Sequence, residues 1–255
     1  MRIGIPSMPV ELCEKIYICK EMNFNHIEIG IDSKEDFNLV YENLHKIKEQ
    51  NISIGIHLPL EINTCENIQD IQNSWISFIM DLHEWKKVLD VKYYNMHLGY
   101  GFKNKVLNNK KKYLNNSIIF FKRLLNLIDN TDIYIENVYS KLGEIISIGN
   151  CYEDFKYLFE NINDDRFRFC YDTGHDLINP SDYLLLSNYT KLIHVSDNNG
   201  KEDLHLGLGK GIFPLEKLSK LFSLESLEYI ILEMDKKYFE STKKIINKTL
   251  LKKKN

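Results

Sequence analysis

Residues 191–211, KLIHVSDNNGKEDLHLGLGKG, carry the densest set of side chains that could do chemistry. A short apolar run leads into His194, and the polar stretch that follows holds Asp197, Asp203 and His205. Imidazole and carboxylate groups that converge just past a strand are the ligands that a divalent metal ion needs. The stretch therefore predicts a strand that delivers metal ligands. The alternative interpretation is an acidic surface loop with two incidental histidines.

The same stretch ends in glycines that surround Lys210. Gly207, Gly209 and Gly211 would let backbone N–H groups come close to an anion, because glycine has no side chain to block the approach. Gly209 and Lys210 are therefore predicted to bind a phosphate or a sugar hydroxyl. The simpler interpretation of Lys210 is a solvated loop lysine.

Similar residues stand at the ends of other strand-like runs. Six consecutive runs end in a residue that could ligate a metal: His57, His97, Glu136, Asp172, His194 and Glu233. His175 and His205 lie just beyond two of these ends. A buried carboxylate is costly unless a cation or hydrogen bonds hold it, so repetition at six strands favours one metal site over six structural accidents.

The order of the predicted elements explains how such residues could meet. Eight strands alternate with eight helices, which is typical of a parallel sheet that closes into a single (β/α)8 TIM barrel, an α/β fold whose strand C-termini share one face. The runner-up is an open doubly wound sheet. We expect one domain over residues 1–255. The predicted strands are 2–6, 26–30, 52–57, 92–98, 132–137, 166–172, 192–195 and 229–234, and the predicted helices are 10–22, 34–50, 67–90, 105–129, 151–162, 181–188, 214–223 and 236–252.

Composition is consistent with this fold and narrows the class of protein. The chain has 255 residues, 44% of them hydrophobic, and a net charge of −3, which gives no overall attraction to nucleic acid. An odd number of cysteines, no CxxC pair, no signal peptide and no apolar run near 18 residues predict a cytoplasmic protein without a membrane span. The five cysteines are interpreted as small buried hydrophobic residues.

Six motifs together resemble the xylose isomerase-like TIM barrels over nearly the whole chain. This superfamily includes endonuclease IV, the tagatose-type epimerases and many sugar phosphate isomerase/epimerase proteins. The motifs are HLPLEIN (57–63), MHLGYG (96–101), IENVY (135–139), YDTGHD (171–176), HVSDNNGKEDLHLGLGKG (194–211) and LEMD (232–235).

The resemblance implies a ligand set for each of two chemistries. In endonuclease IV nine residues hold three zinc ions, and all nine have a match here. By that resemblance, His57, His97 and Glu136 would hold one ion, Glu136, Asp172, His194 and Glu233 a second, and His175, Asp203 and His205 a third. In the sugar isomerases, Glu136, Asp172, His194 and Glu233 would bind a single Mn²⁺, Co²⁺ or Mg²⁺.

The sequence favours a small sugar or sugar-phosphate substrate and an isomerase or epimerase. In that reaction Glu136 and Glu233 would remove and return a carbon-bound proton through a metal-stabilised enediolate, and Glu28 would meet substrate hydroxyls. The loops PSMPVE and GIDSKED, after the first two strands, are short and acidic or neutral, which is unsuited to tracking DNA phosphates.

The alternative is hydrolysis of a phosphoester by a metal-activated water, either at abasic sites in DNA, as in endonuclease IV, or in a small substrate. Four of the nine predicted ligands, His57, His97, Asp203 and His205, exceed what a one-metal isomerase requires. A non-catalytic binding barrel is the remaining hypothesis. We expect a monomer or a homodimer.

Overall fold

The chain forms a closed barrel of eight parallel strands. The structure, a computed structural model, describes residues 1–140 and 143–252. The barrel strands are hydrogen-bonded in the order β1-β2-β3-β4-β6-β8-β9-β10, and β10 closes on β1. The strands are β1 (Arg2–Ser7), β2 (His26–Gly30), β3 (Ser53–His57), β4 (Val91–Met96), β6 (Asp132–Glu136), β8 (Phe167–Asp172), β9 (Thr190–Val195) and β10 (Tyr229–Leu232). The predicted (β/α)8 barrel is thereby confirmed.

Helices connect the strands on the outside. They are α1 (Leu12–Met22), α2 (Asp36–Glu49), α3 (Gln69–Glu84), α4 (Lys86–Leu89), α5 (Lys103–Leu127), α6 (Tyr152–Asn161), α7 (Thr173–Ile178), α8 (Lys217–Leu221) and α9 (Phe239–Lys252), and short 3-10 turns cover Pro9–Glu11, Tyr183–Leu186 and Lys236–Tyr238. In the described part of the chain, no helix is both long enough and apolar enough to cross a lipid bilayer.

Two further strands lie above the barrel at the carboxyl ends of its strands. β5 (Gly99–Phe102) follows β4, β7 (Ile145–Ile148) follows β6, and the two pair antiparallel. We call this pair the mouth ribbon. The sequence analysis did not predict it, because its strands are only four residues long and are built partly from glycine and serine.

The core has two parts, a large cluster of aliphatic and aromatic residues and a smaller cluster that contains three tyrosines. Inside the barrel, Tyr93, Tyr134 and Tyr229 lie together, and the rings of Tyr93 and Tyr134 stack at a centroid distance of 4.5 Å. These tyrosines fill the barrel beneath the ends of the strands. The ionisable groups at the carboxyl ends therefore rest on a packed floor.

Some local predictions were wrong. The predicted helix 67–90 is two helices, α3 and α4, and two isoleucines near its start, Ile68 and Ile71, which as apolar residues would be expected on its buried face, are 55% and 38% exposed. The predicted helix 181–188 is only a 3-10 turn. The cysteines are all free, but Cys13 is exposed rather than buried.

Candidate metal centre

The nine predicted ligands converge at the mouth of the barrel. Glu136, Asp172 and His194 are at most 2% exposed and form the floor of the site. His57, Glu233 and the others stand around them, partly open to a cavity of about 770 Å³. Residues separated by up to 176 positions in the chain meet because parallel strands end at one face.

The first ligand group is His57, His97 and Glu136, whose potential ligand atoms all lie within 4.8 Å of one another. His57 Nε2 is 3.5 Å from Glu136 Oε2, and His97 Nε2 is 3.6 Å from Glu136 Oε1. The two oxygens of one carboxylate therefore face two imidazoles from neighbouring strands. This arrangement suits a tetrahedral ion that keeps one position for water or substrate.

The second group shares Glu136 with the first. Glu136, Asp172, His194 and Glu233 also present potential ligand atoms within 4.8 Å of one another. His194 Nδ1 is 2.9 Å from Glu233 Oε2 and 3.4 Å from Glu136 Oε2. Glu136 is thus placed to bridge two cations.

The third group is centred on a carboxylate between two histidines. Asp203 Oδ2 is 3.4 Å from His175 Nε2 and 3.3 Å from His205 Nε2. His175 is held by α7, a short helix that the sequence analysis did not predict. Asp172 caps α7 by accepting a hydrogen bond of 2.6 Å from the backbone N–H of His175. The cap places the third group beside the second.

Backbone carbonyls orient three of the histidines. The Nδ1 of His57 faces the carbonyl of Leu58 at 2.8 Å, and that of His175 faces the carbonyl of Asn137 at 2.8 Å. His205 Nδ1 lies 3.0 Å from the Glu233 carbonyl. A neutral imidazole that donates from Nδ1 keeps a lone pair on Nε2, so in each case Nε2 is the ligand atom, and it points at a carboxylate of the site.

Charge in the site is balanced by shifted protonation. Burial raises the pKa of Asp172 to about 8. Hydrogen bonding to Asp203 raises the pKa of His205 to about 9. Burial works against protonation of His57, yet its contact with Glu136 outweighs this and raises the pKa to about 9. Protons on these histidines occupy positions between ligand atoms where cations would be held, so metal binding would displace them.

Unpartnered polar atoms show that the residues fit a bound cation. Within the described residues, His97 Nε2, both ring nitrogens of His194 and Glu233 Oε2 are buried without a hydrogen-bond partner. Buried polar atoms are normally satisfied, and their concentration at one mouth needs an explanation. Imidazole nitrogens mixed with carboxylate oxygens suit Zn²⁺, Mn²⁺ or Co²⁺.

The structure does not bring Lys210 and Gly209 into the site. Lys210 is exposed, and neither residue lines the cavity. The N–H groups of Gly209 and Gly211 donate to Asp197 Oδ2 at 3.0 and 2.9 Å. The anion that this glycine loop binds is therefore a carboxylate of the protein itself. Asp197 is fully buried and holds the loop that carries Asp203.

Several site residues were missed by sequence reasoning. Asn95 donates a hydrogen bond of 2.6 Å to Glu136 Oε2. Asn137 both accepts from the backbone N–H of Asp172 and donates to its carbonyl. They lie on strands β4 and just past β6, at positions where a polar residue inside an apolar run was the only signal.

The cavity above the ligands is lined by both apolar and charged residues. Its apolar lining includes Leu58, Leu60, Val138 and Ile145, and Lys15 is its only lysine or arginine among the described residues. Glu28, predicted to meet substrate, also lines it but is only 2% exposed. The volume of the cavity accommodates a ligand of small-molecule size.

The chain belongs to the xylose isomerase-like TIM barrel family, whose sequence profile matches residues 16–250. A protein named as probable endonuclease 4 from Metamycoplasma arthritidis (strain 158L3-1) is 27% identical over 224 residues, which are 82% of this chain and 77% of that protein. The chain is thus similar in sequence to a protein named as a probable endonuclease.

Two solved structures show the same fold. A D-tagatose 3-epimerase-like protein superposes with a TM-score of 0.82 at 22% identity, over 98% of this chain and 97% of the other. The IOLI protein with a bound zinc atom superposes with a TM-score of 0.79 at 16% identity, over 99% of this chain and 97% of the other.

Proposed function

We propose that the protein is a divalent-metal-dependent phosphoester hydrolase with a three-ion site. The observation that carries the proposal is Glu136, whose two oxygens face His57 and His97 while it also belongs to the group with His194. A one-ion isomerase does not need the first group. The third group, with Asp203 between two histidines, is a second surplus.

The ligands, the cavity lysine and the apolar wall would have separate roles in such a reaction. When bound, divalent ions would polarise the phosphoryl oxygens and lower the pKa of a water molecule. Glu136 belongs to both of the first two ligand groups, and Asn95 fixes the Glu136 carboxylate by a hydrogen bond. Lys15, at the cavity wall, would attract the charge of a phosphate. The apolar wall of Leu58, Leu60 and Ile145 would pack against the organic part of the ester and exclude water.

Isomerisation of a sugar or sugar phosphate is the second candidate. It is favoured by the completeness of the second group, in which Glu136 and Glu233 both approach Nδ1 of His194, and by a cavity in whose described lining Lys15 is the only lysine or arginine. In that reaction Glu136 and Glu233 would transfer the proton.

Activity of the metal-loaded protein separates the two functions. The protein is loaded with Zn²⁺ or Mn²⁺ and assayed on an abasic DNA duplex, on bis(4-nitrophenyl) phosphate as a small phosphodiester, and on ketoses in D₂O. We expect phosphoester cleavage that stops on chelation. Deuterium exchange into a ketose without cleavage of either ester would replace hydrolysis by isomerisation, and cleavage of the small ester alone would exclude DNA as the substrate.

A further inference from the structure

His194 is oriented differently from three other histidines of the site. His57, His175 and His205 turn Nδ1 to a backbone carbonyl. His194 instead turns Nδ1 toward Glu233, Glu136 and Asp172, at 2.9, 3.4 and 3.9 Å. Its ligand atom is therefore Nδ1, and another group must hold the proton on Nε2.

Glu28 on β2 is that group. Glu28 Oε1 lies 3.0 Å from His194 Nε2, and both side chains are at most 3% exposed. Neither ring nitrogen of His194 makes an aligned hydrogen bond within the described residues, and Glu28 is the described carboxylate that faces Nε2. A carboxylate that can only accept fixes the proton on Nε2 and leaves the Nδ1 lone pair for a cation.

A chain of buried hydrogen bonds holds Glu28 in turn. The Tyr93 hydroxyl donates to Glu28 Oε2 at 2.8 Å. Tyr93 Oη lies 2.9 Å from His26 Nε2, and His26 Nδ1 lies 2.6 Å from Ser53 Oγ. Burial lowers the pKa of His26 to about 3, so this histidine is neutral and has one N–H.

The direction of each hydrogen bond in the chain follows from Glu28. An ionised carboxylate accepts only, so Tyr93 must donate to it, and the Tyr93 oxygen is then free to accept from the Nε2–H of His26. His26 Nδ1, without a proton, accepts from the Ser53 hydroxyl. Every member is satisfied in a single arrangement, and such fully satisfied polar networks are rigid.

We propose that Ser53, His26, Tyr93 and Glu28 form a positioning network that fixes His194 in the tautomer that ligates through Nδ1. This inference rests on the proposed metal site but adds four residues outside its nine ligands. It also changes the role expected for Glu28, from meeting substrate hydroxyls to orienting a metal ligand. Tyr93 and His26 are fully buried beneath the site and line none of the cavity.

Metal binding by two variants and a matched control tests the network. Glu28→Gln replaces one carboxylate oxygen by an amide nitrogen, which donates instead of accepting. Either the Tyr93 hydroxyl then loses its acceptor, or the amide faces His194 Nε2 and the proton of His194 moves to Nδ1. Tyr93→Phe removes the support of Glu28 only. Tyr134→Phe is the control, because Tyr134 stacks on Tyr93 in the barrel interior but its hydroxyl faces Asp132, away from Glu28.

Zinc stoichiometry and affinity are measured by elemental analysis and chelator competition, and the Co²⁺ absorption spectrum reports the ligands of the bound ion. We expect Glu28→Gln to weaken binding of one ion by about 10–100-fold, Tyr93→Phe to weaken it less, and Tyr134→Phe to match the wild type. Circular dichroism and thermal unfolding in chelator establish that all four proteins fold.

Three outcomes would overturn the inference, and they are distinguishable. Wild-type affinity and an unchanged Co²⁺ spectrum in folded Glu28→Gln and Tyr93→Phe would remove the network and leave the metal site standing. A wild-type protein that binds no divalent metal would remove the metal site and the network together. Equal losses in all three variants would indicate a general packing effect and also reject the network.

Discussion

Glu136 connects the two ligand groups that lie deepest in the barrel. Its side chain is 1% exposed, accepts from Asn95 and faces His57, His97 and His194. Replacing one oxygen of this carboxylate by an amide nitrogen would place a donor where two ligand groups need an acceptor. The effect should therefore reach two ions at once.

We expect Glu136→Gln to lower the rate of turnover by about 100-fold or more, since even changes around ligands cost 10–100-fold. Metal content and kcat/KM are measured together, with the exposed Glu216→Gln as control. Full metal content with full activity in Glu136→Gln would contradict the bridging role.

His97 separates the two candidate functions by its position in the first group alone. His97→Ala should remove one ion and stop phosphoester cleavage, because its nitrogen faces Glu136 Oε1, whereas His194 of the second group faces Glu136 Oε2. A one-ion isomerase would keep deuterium exchange in His97→Ala and lose it in Glu233→Gln. Phosphoester cleavage at wild-type rate by His97→Ala would exclude the three-ion mechanism.

The convergence of the candidate ligands could be predicted from sequence, whereas the contacts that orient them could not. Glu136 and His194 each lie at the carboxyl end of a strand, where the fold requires convergence. Tyr93 and Glu28 are 65 positions apart and lie within strands, so that only the barrel register shows their contact. Inside an apolar run, a tyrosine that completes a polar network looks the same as one that packs.

The mouth ribbon is the element that depends most on its glycines. Gly99 has φ of +121°, and a Cβ there would lie 2.1 Å from Asn63 Oδ1. That Asn63 donates to the carbonyl of Tyr100 at 3.0 Å, which ties the ribbon to the loop after β3. The ribbon is therefore fixed by backbone conformation that other residues rarely adopt.

Gly99→Ala should lower the free energy of unfolding by about 1–3 kcal/mol, because strain and overpacking act together. Gly143→Ala is the matched control, since a Cβ at Gly143 meets nothing within 4 Å. Urea unfolding of both variants checks the difference. Equal stability would show that the ribbon does not need the glycine conformation.

The loop after β9 is held by Asp197 rather than by substrate. Its Oδ1 accepts from the N–H of Phe213 at 2.8 Å, and its Oδ2 accepts from Gly209 and Gly211. Hydrogen bonds to a charged group contribute about 1.5–3 kcal/mol each, and an amide in this place would turn a donor toward donors.

Asp197→Asn should therefore weaken binding of the ion held by Asp203 and leave the other two less affected. Glu202→Gln, an exposed change in the same loop, is the control. Metal affinities are measured by chelator titration. An unchanged third affinity in Asp197→Asn would show that the loop keeps its shape without the carboxylate.

One difference between the predicted and observed helices involves a buried polar residue. On α3, Gln72 is 3% exposed because its amide donates to the carbonyls of Thr64 and Glu66. The helix therefore turns a different face inward than its apolar residues suggested, and Ile68 and Ile71 remain at the surface. Such a hydrogen bond to a loop cannot be read from helical periodicity.

The free energy of unfolding of the metal-free protein should fall as the pH rises, whereas the contribution of bound metal to it should increase. His57 and His205 have folded pKa values raised to about 9 from about 6.5, so the folded state alone holds their protons between these values. Their contribution to stability is present below pH 6.5 and lost as the pH rises through 9. Asp172, with its pKa raised to about 8, acts in the same direction.

The free energy of unfolding in chelator should thus fall between pH 6.5 and pH 9. With the zinc concentration fixed at 100 times the Kd measured at pH 6.5, the protein should gain about 2.7 kcal/mol per ion at that pH, and the gain should grow with pH as the ligands lose protons and the Kd falls. Urea unfolding at four pH values measures both. Rising stability in chelator across this range would contradict the assigned protonation.

The ligands come from six of the eight barrel strands, and all five cysteines are free. Ions bound at His57, Glu136 and Glu233 would join segments 79 and 97 residues apart, much as disulfide bridges join the loops of secreted domains. Closing such long loops removes conformational freedom from the unfolded chain. In this protein bound metal ions would serve as cross-links that its thiols do not provide. Removal of the metal would therefore lower the stability of the barrel as well as the activity.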